Sequence, residues 1–258
     1  MSNHHNQSIN EFDFNLICEY FSSIERQGPG SPETTVRALS FIDNLTSDSH
    51  IADVGCGTGS PTRVLAQHTP CRITGIDLFP HFIELFNDNA ESQHLQDRVK
   101  GVVASMCEMP FREDELDVIW SEGAIYNIGY QKGLTEWRRY LKQGGYIVVS
   151  EATWFTDERP AEINDYWMDA YPEIDTVANK ILQMQKAGYS FVSAFVLPEN
   201  CWTDHYYALQ VPAHETFLLK YKDNRTACDL VTAQRHEAQM YAKYKEYYGY
   251  VFYIGKKG

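Results

Sequence analysis

The sequence predicts an α/β protein built on a doubly wound, seven-stranded, mostly parallel sheet. Three features point there. From residue 50 onward, short apolar strands alternate with amphipathic helices. A glycine-rich turn, Asp53-Val54-Gly55-Cys56-Gly57-Thr58-Gly59, joins the first of those strands to the first helix. The tyrosine-rich last third breaks the alternation with long helical stretches. Strands that alternate with helices lie parallel, with the crossover helices covering both faces of the sheet.

Residues 10–45 read as helical, broken at Gln27-Gly28-Pro29-Gly30. Ser31 is an N-cap type, Pro32 suits the first helical position, and Glu33 places a carboxylate in the first turn. Val36, Leu39, Phe41 and Ile42 then recur at helical spacing. Residues 1–49 are therefore expected to form an N-terminal helical cap, and residues 50–258 the main domain.

In that domain Ile51–Val54 is the first strand, and a helix through Val64 and Leu65 follows the glycines. Arg72–Ile76 is the second strand, Phe82–Ala90 the second helix, Val99–Ala104 the third strand and Leu116–Trp120 the fourth. A helix over Leu134–Leu141 is expected to stop at Gly144-Gly145, and Tyr146–Ser150 is the fifth strand. Helical inserts are expected at about 152–187 and 200–247, the second disturbed at Pro212. Ser190–Val196 and Tyr250–Ile254 complete the seven strands as an antiparallel pair at a sheet edge.

Composition narrows the function. The 258 residues carry a net charge of −13, from 22 Lys+Arg against 35 Asp+Glu. Such a surface repels phosphates, which argues against nucleic acid and anionic lipid as partners; Lys256 and Lys257 make only a short basic tail. The six cysteines show no Cys-x-x-Cys pair or metal-ligand spacing. Met1–Asn10 has no signal-peptide pattern, and no apolar run approaches the ~20 residues of a membrane span. The expectation is a cytoplasmic protein with free thiols, no membrane association and no metal. Oligomeric state is left open, a homodimer being one option.

The glycine turn is the informative segment, because it falls at the ligand crevice of a doubly wound sheet. Glycines there let a ligand approach the backbone closely. Asp77, at the end of the second strand, is placed to accept both hydroxyls of a ribose. The dinucleotide fingerprint would carry a glycine at position 60, where this chain has Ser60. Asp53 puts a negative charge ahead of the turn, wrong for a pyrophosphate and right for a ligand bearing an ammonium and a sulfonium.

On these residues the segment resembles the cofactor loop of class I S-adenosylmethionine (SAM) dependent methyltransferases. It is most similar to the branch around the ubiquinone/menaquinone-biosynthesis enzymes. The likeness continues in order through Asp77, Glu108-Met109-Pro110-Phe111, Leu116-Asp117-Val118-Ile119 and Lys142-Gln143-Gly144-Gly145-Tyr146. Ser105 departs from it, standing where many relatives have an aspartate that accepts the adenine amino group; a hydroxyl also accepts, without charge assistance.

The resemblance implies SAM as cofactor. Asp53, Gly55, Cys56, Gly57, Gly59, Asp77, Leu78, Ser105, Met106 and Ser121 would hold it, with Gln27 and Gly28 closing over it from the N-terminal break. It also implies methyl transfer to an O, N or C centre of a small molecule near the end of the fourth strand. Glu122 and Glu151 are the candidates for orienting or deprotonating the acceptor; the alternative for each is a hydrogen-bonded structural carboxylate. Tyr126, Trp154, Trp202, His205 and Tyr206 are candidates for acceptor contacts, with plain packing as the alternative. Two rival functions are a nicotinamide-dependent oxidoreductase and a non-catalytic SAM-binding regulator.

Overall fold

A computed structural model describes residues 14–258; the start of the expected first helix lies outside the described residues. Helices α1 (Phe14–Ser22) and α2 (Pro32–Leu39) precede the sheet. Strand β1 (His50–Val54) leads through the glycine turn to α3 (Ser60–His68), β2 (Arg72–Asp77), α4 (Pro80–Ser92), β3 (Val99–Val103) and β4 (Leu116–Glu122). Then come α5 (Tyr130–Trp137), β5 (Leu141–Trp154), α6 (Ala161–Ala170), β6 (Asp175–Thr176), α7 (Val177–Lys186) and β7 (Tyr189–Val196). The chain closes with α8 (Asn200–Trp202), α9 (Ala208–Lys220), α10 (Arg225–Tyr244) and β8 (Tyr248–Lys257).

The main sheet runs β3-β2-β1-β4-β5-β8-β7, and the two-residue β6 adds an eighth strand beside the end of β5. Strands β1 to β5 pair in parallel, and β8 slots antiparallel between β5 and β7. The expected antiparallel edge pair is thus β7 and β8. Every residue of β1 is buried, as a strand covered by helices on both faces requires. One face of the sheet packs Ile51, Val118, Trp120, Val148 and Phe252 under one apolar layer. The other packs Ala52, Val54, Ile119, Ile147 and Val149 under a second. Burial of each such large side chain stabilises by about 1.5–3 kcal/mol.

The N-terminal cap divides between two cores. In α1, Leu16 and Tyr20 pack with Ala213 and Phe217 of α9 and Leu230 of α10, whereas Ala38 and Leu39 of α2 join the main core. Ser31 caps α2 as its residue type suggests: its Oγ accepts from the Thr34 N–H at 3.3 Å, and Thr34 Oγ1 accepts from the Ser31 N–H at 3.0 Å. This helix ends at Leu39, short of residue 45.

Two punctuation signals act differently from expectation. Gly144-Gly145 does not end a helix. The helical turns finish at Tyr140, and Lys142–Gly145 form a bulge in β5 where the pairing jumps from Leu116–Leu141 to Val118–Tyr146. Gly144 takes a φ of +77° there, which serves a bulge as well as a helix end. Pro212 lies inside α9 and does not interrupt it. The break in the second insert falls at Tyr221–Asn224, and the Asn224 side chain restarts the helix by accepting from the Ala227 N–H at 3.0 Å.

Candidate active site

The sheet order reverses between β1 and β4, so the crevice of the fold opens beyond their C-terminal ends. The glycine turn lies at this point. Gly55 and Gly57 have φ of +74° and +54°, in the left-handed region that penalises side chains. A Cβ at Gly55 would lie 2.4 Å from the Ala124 Cβ, and one at Gly57 would lie 2.4 Å from the Gln27 Oε1.

Gln27 closes on the turn from outside. Its Oε1 accepts from the Thr58 N–H at 3.2 Å, and its Nε2 donates to the Ile24 carbonyl at 2.6 Å. The break after α1 is therefore fastened to the glycine turn through this one side chain. Gly28 lies beside it at a cavity described below.

Asp77 is half-buried at the end of β2. Its Oδ2 accepts from the Gly57 N–H at 3.0 Å and its Oδ1 from the Phe79 N–H at 3.1 Å. Each oxygen keeps a lone pair for a diol. Burial raises its pKa against these backbone donors. Beside it Leu78 is 62% exposed, while Met106 is half-buried with its Cε 3.5 Å from a Cβ placed at Gly55. Leu78 and Met106 thus offer apolar surface next to the turn. Ser105 Oγ accepts from the Cys107 N–H at 3.2 Å and so has already spent one lone pair.

Asp53 is 1% exposed and accepts from the Thr62 hydroxyl. Burial, with the charges of Glu122 and Asp77 nearby, pushes its carboxyl up to about 7 against the Thr62 hydrogen bond and the Arg26 charge, and among the described residues no cation pairs with it directly. Arg26, which sequence reasoning missed, supplies the opposite imbalance. Its Nη2 donates to Glu122 Oε2, while its buried Nε and Nη1 have no partner. An uncompensated acid and a half-satisfied guanidinium in one crevice suit the ammonium and carboxylate of an α-amino acid. The residues present therefore fit the amino-acid and nucleoside ends of SAM.

Several expected site residues are placed in other roles. Glu122 is engaged through both oxygens: Oε1 accepts from Thr35 Oγ1 at 2.7 Å and from Trp120 Nε1 at 2.9 Å, and Oε2 takes Arg26. It anchors the segment after α1, with its charge committed to the Arg26 guanidinium. Ser121 is fully buried and donates to the Val54 carbonyl at 2.8 Å, strapping β4 to β1. Cys56 points into the core at 3% exposure, leaving only its backbone for a ligand.

Glu151 alternates with Ala152 along β5, so Ala152 faces the cavity and Glu151 faces the opposite layer. Its carboxylate is 1% exposed and lies beside the Tyr171 hydroxyl. The Lys180 Nζ, fully buried, lies 4.0 Å away. Burial raises the Glu151 pKa and the lysine charge pulls it back.

The cavity, of about 180 Å³, adjoins the turn through Gln27 and Gly28. Tyr126, Trp202 and Tyr206 line it as expected. Trp154 does not: it is core, with the Arg159 guanidinium 4.1 Å above its ring. His205 is not on the cavity wall. Tyr166 and Trp167 of α6, Tyr250 of β8 and Glu237 of α10 also line the cavity. Sequence reading missed them, because only the fold brings these distant helices to the sheet end. A larger hollow of about 630 Å³ lies among Gln131, Lys132, Glu136 and Gln183 and includes no residue of the glycine turn.

Residues 52–149 match the family of methyltransferase domains. Methyltransferase GfsG of Streptomyces halstedii is 28% identical over 131 residues, covering 50% of this chain and 47% of that protein. Sterol 24-C-methyltransferase of Candida albicans is 26% identical over 165 residues, covering 59% and 43%. The chain thus spans less than half the length of these relatives. A SAM-dependent methyltransferase from Geobacter sulfurreducens, solved in complex with S-adenosyl-L-homocysteine, shares the fold. Its TM-score is 0.82 over 95% of this chain and 98% of that one, at 19% identity. The match ends at residue 149; it includes Tyr126 of the cavity lining, whereas Ala152, Tyr166, Trp167, Trp202, Tyr206 and Tyr250 lie beyond it.

Proposed function

We propose that the chain is a SAM-dependent methyltransferase that acts on a small molecule. The observation that carries this reading is the charge pattern of the crevice. Asp53 and Asp77 lie at the glycine turn, and the buried guanidinium of Arg26 is paired with Glu122 while its Nε and Nη1 have no partner among the described residues. A pyrophosphate would meet the Asp53 carboxylate ahead of the turn, which disfavours the nicotinamide reading, whereas Asp77 suits the ribose of either cofactor.

When bound, SAM supplies a methyl group on a positively charged sulfur. The residues do the rest. Asp77 binds the ribose hydroxyls, Leu78 and Met106 flank the base, and Asp53 and Arg26 hold the amino-acid end. Gln27 closes the N-terminal segment on the turn and excludes water. With Glu122 and Glu151 engaged elsewhere, catalysis rests chiefly on orientation, an effect of up to ~7–11 kcal/mol in well-aligned reactions.

The cavity beside the turn supports an enzyme over a silent SAM-binding regulator, which needs no acceptor space. The acceptor atom is O, N or C. The likeness to the ubiquinone/menaquinone branch concerns residues 50–151, whereas the acceptor cavity is built mainly from later ones. The acidic surface and free cysteines favour a cytoplasmic setting without nucleic-acid partners; among the described residues no helix is long and apolar enough to cross a membrane.

Incubation with methyl-labelled SAM and a fractionated metabolite extract tests the reading. Label in a small-molecule fraction, with formation of S-adenosylhomocysteine, is expected. Cofactor binding without any transfer would favour the regulator.

A further inference from the structure

From the aromatic wall and its single carboxylate, we propose that the cavity takes a small amine and that Glu237 is the residue that recognises it. The proposal rests on the methyltransferase reading and names its substrate class.

The wall is made of Tyr126, Tyr166, Trp167, Trp202, Tyr206 and Tyr250, contributed by four separate parts of the chain. Aromatic faces attract cations, most strongly where water is excluded. Trp202 is held rigidly for such a role, stacked on Tyr241 at 4.4 Å between ring centres. Glu237 enters from α10 and is, among the described residues, the one charged residue on the lining, which holds no described Lys, Arg or His. The Tyr207 hydroxyl donates to its Oε1 at 3.2 Å, which fixes the carboxylate without neutralising it. A half-buried acid among phenol rings, with no cation in contact, is costly unless a ligand brings the charge. Burial pushes Glu237 up to about 7, in keeping with an absent counter-ion.

An anionic acceptor would be repelled by Glu237, and a neutral hydrocarbon would leave the carboxylate unmatched. The volume of about 180 Å³ is below the ~300–1,000 Å³ of sites for drug-sized ligands, so the amine is small.

The reaction balances with these groups. An ammonium entering the cavity gives its proton to the Glu237 carboxylate. The freed nitrogen lone pair forms the N–C bond to the methyl carbon, and the electron pair of the S–C bond returns to sulfur. The positive charge moves from sulfur to nitrogen, between the aromatic faces. The proton on Glu237 leaves to water when the product departs.

Calorimetric titration in the presence of saturating S-adenosylhomocysteine tests this, using choline and its neutral carbon isostere 3,3-dimethylbutan-1-ol. Choline is expected to bind about ten-fold or more tightly than the isostere. Glu237→Gln and Tyr126→Leu should each reduce that preference while leaving S-adenosylhomocysteine affinity unchanged. Tyr126 is 44% exposed, so its replacement tests the cage without emptying the core. Equal affinity for the two probes, or no choline binding, overturns the proposal. Failure of S-adenosylhomocysteine itself to bind would instead overturn the methyltransferase reading.

Discussion

Arg26 and Glu122 form a buried ion pair, 7% and 3% exposed, that ties the segment after α1 to the end of β4. In this pair the Glu122 charge holds a guanidinium whose Nε and Nη1 have no partner among the described residues. Breaking a buried pair from one side leaves an uncompensated charge, at a cost of about 3–5 kcal/mol.

Arg26→Met should therefore lower the urea midpoint and weaken S-adenosylhomocysteine binding by more than ten-fold, consistent with the ~1.5–3 kcal/mol of a charged hydrogen bond. Binding measured below the unfolding transition separates the two effects. Unchanged affinity would make Arg26 a purely structural residue.

Asp53 gives a pH prediction. Burial pushes its carboxyl up to about 7 in the folded chain, against about 3.9 for a solvated aspartate. The folded state therefore holds the proton more tightly, and this group's contribution to stability falls as pH rises between those values. Asp53→Asn should gain stability relative to wild type, increasingly so from pH 4 to 7, in paired urea titrations. An ammonium placed beside Asp53 should also release about half a proton at pH 7. Calorimetry of S-adenosylhomocysteine in buffers of different ionisation enthalpy reads that release, which should vanish in Asp53→Asn.

Gly57→Ala strains a left-handed backbone, about 1–2 kcal/mol, and drives a Cβ against the Gln27 side chain. The variant should fold, lose cofactor affinity and become more sensitive to proteolysis at residues 27–30. Cleavage identical to wild type would show that Gln27 does not fasten that segment.

Lys180→Met leaves Glu151 buried without its cation, and a loss of about 3–5 kcal/mol is expected. The double variant with Glu151→Gln should recover much of it, since a neutral pair in a dry site needs no counter-charge. Additive losses would contradict the pairing.

What the sequence made legible was local. The glycine turn, Asp77 and the Ser31 cap are written in residue types whose backbone demands are met within a few positions. The parallel strands and the closing antiparallel β7–β8 pair were legible in the alternation and its late break. Roles set by distant partners were not legible. Glu122 reads as an exposed candidate base until Thr35 and Arg26 are folded against it. Glu151 and Ala152 are neighbours in sequence, and only the phase of β5 decides which one faces the cavity. Glu237 carries no local mark within a long polar helix. Gly144-Gly145 misled because a bulge and a helix end ask the same freedom of a glycine.

The central claim is that the crevice between β1 and β4 holds SAM through Asp77. Calorimetric titration of wild type and Asp77→Ala with S-adenosylhomocysteine, NAD and NADP tests it most directly. The account predicts micromolar binding of S-adenosylhomocysteine alone, weakened about ten- to hundred-fold in Asp77→Ala. Binding of NAD or NADP in its place, or full retention of S-adenosylhomocysteine affinity by Asp77→Ala, would contradict it.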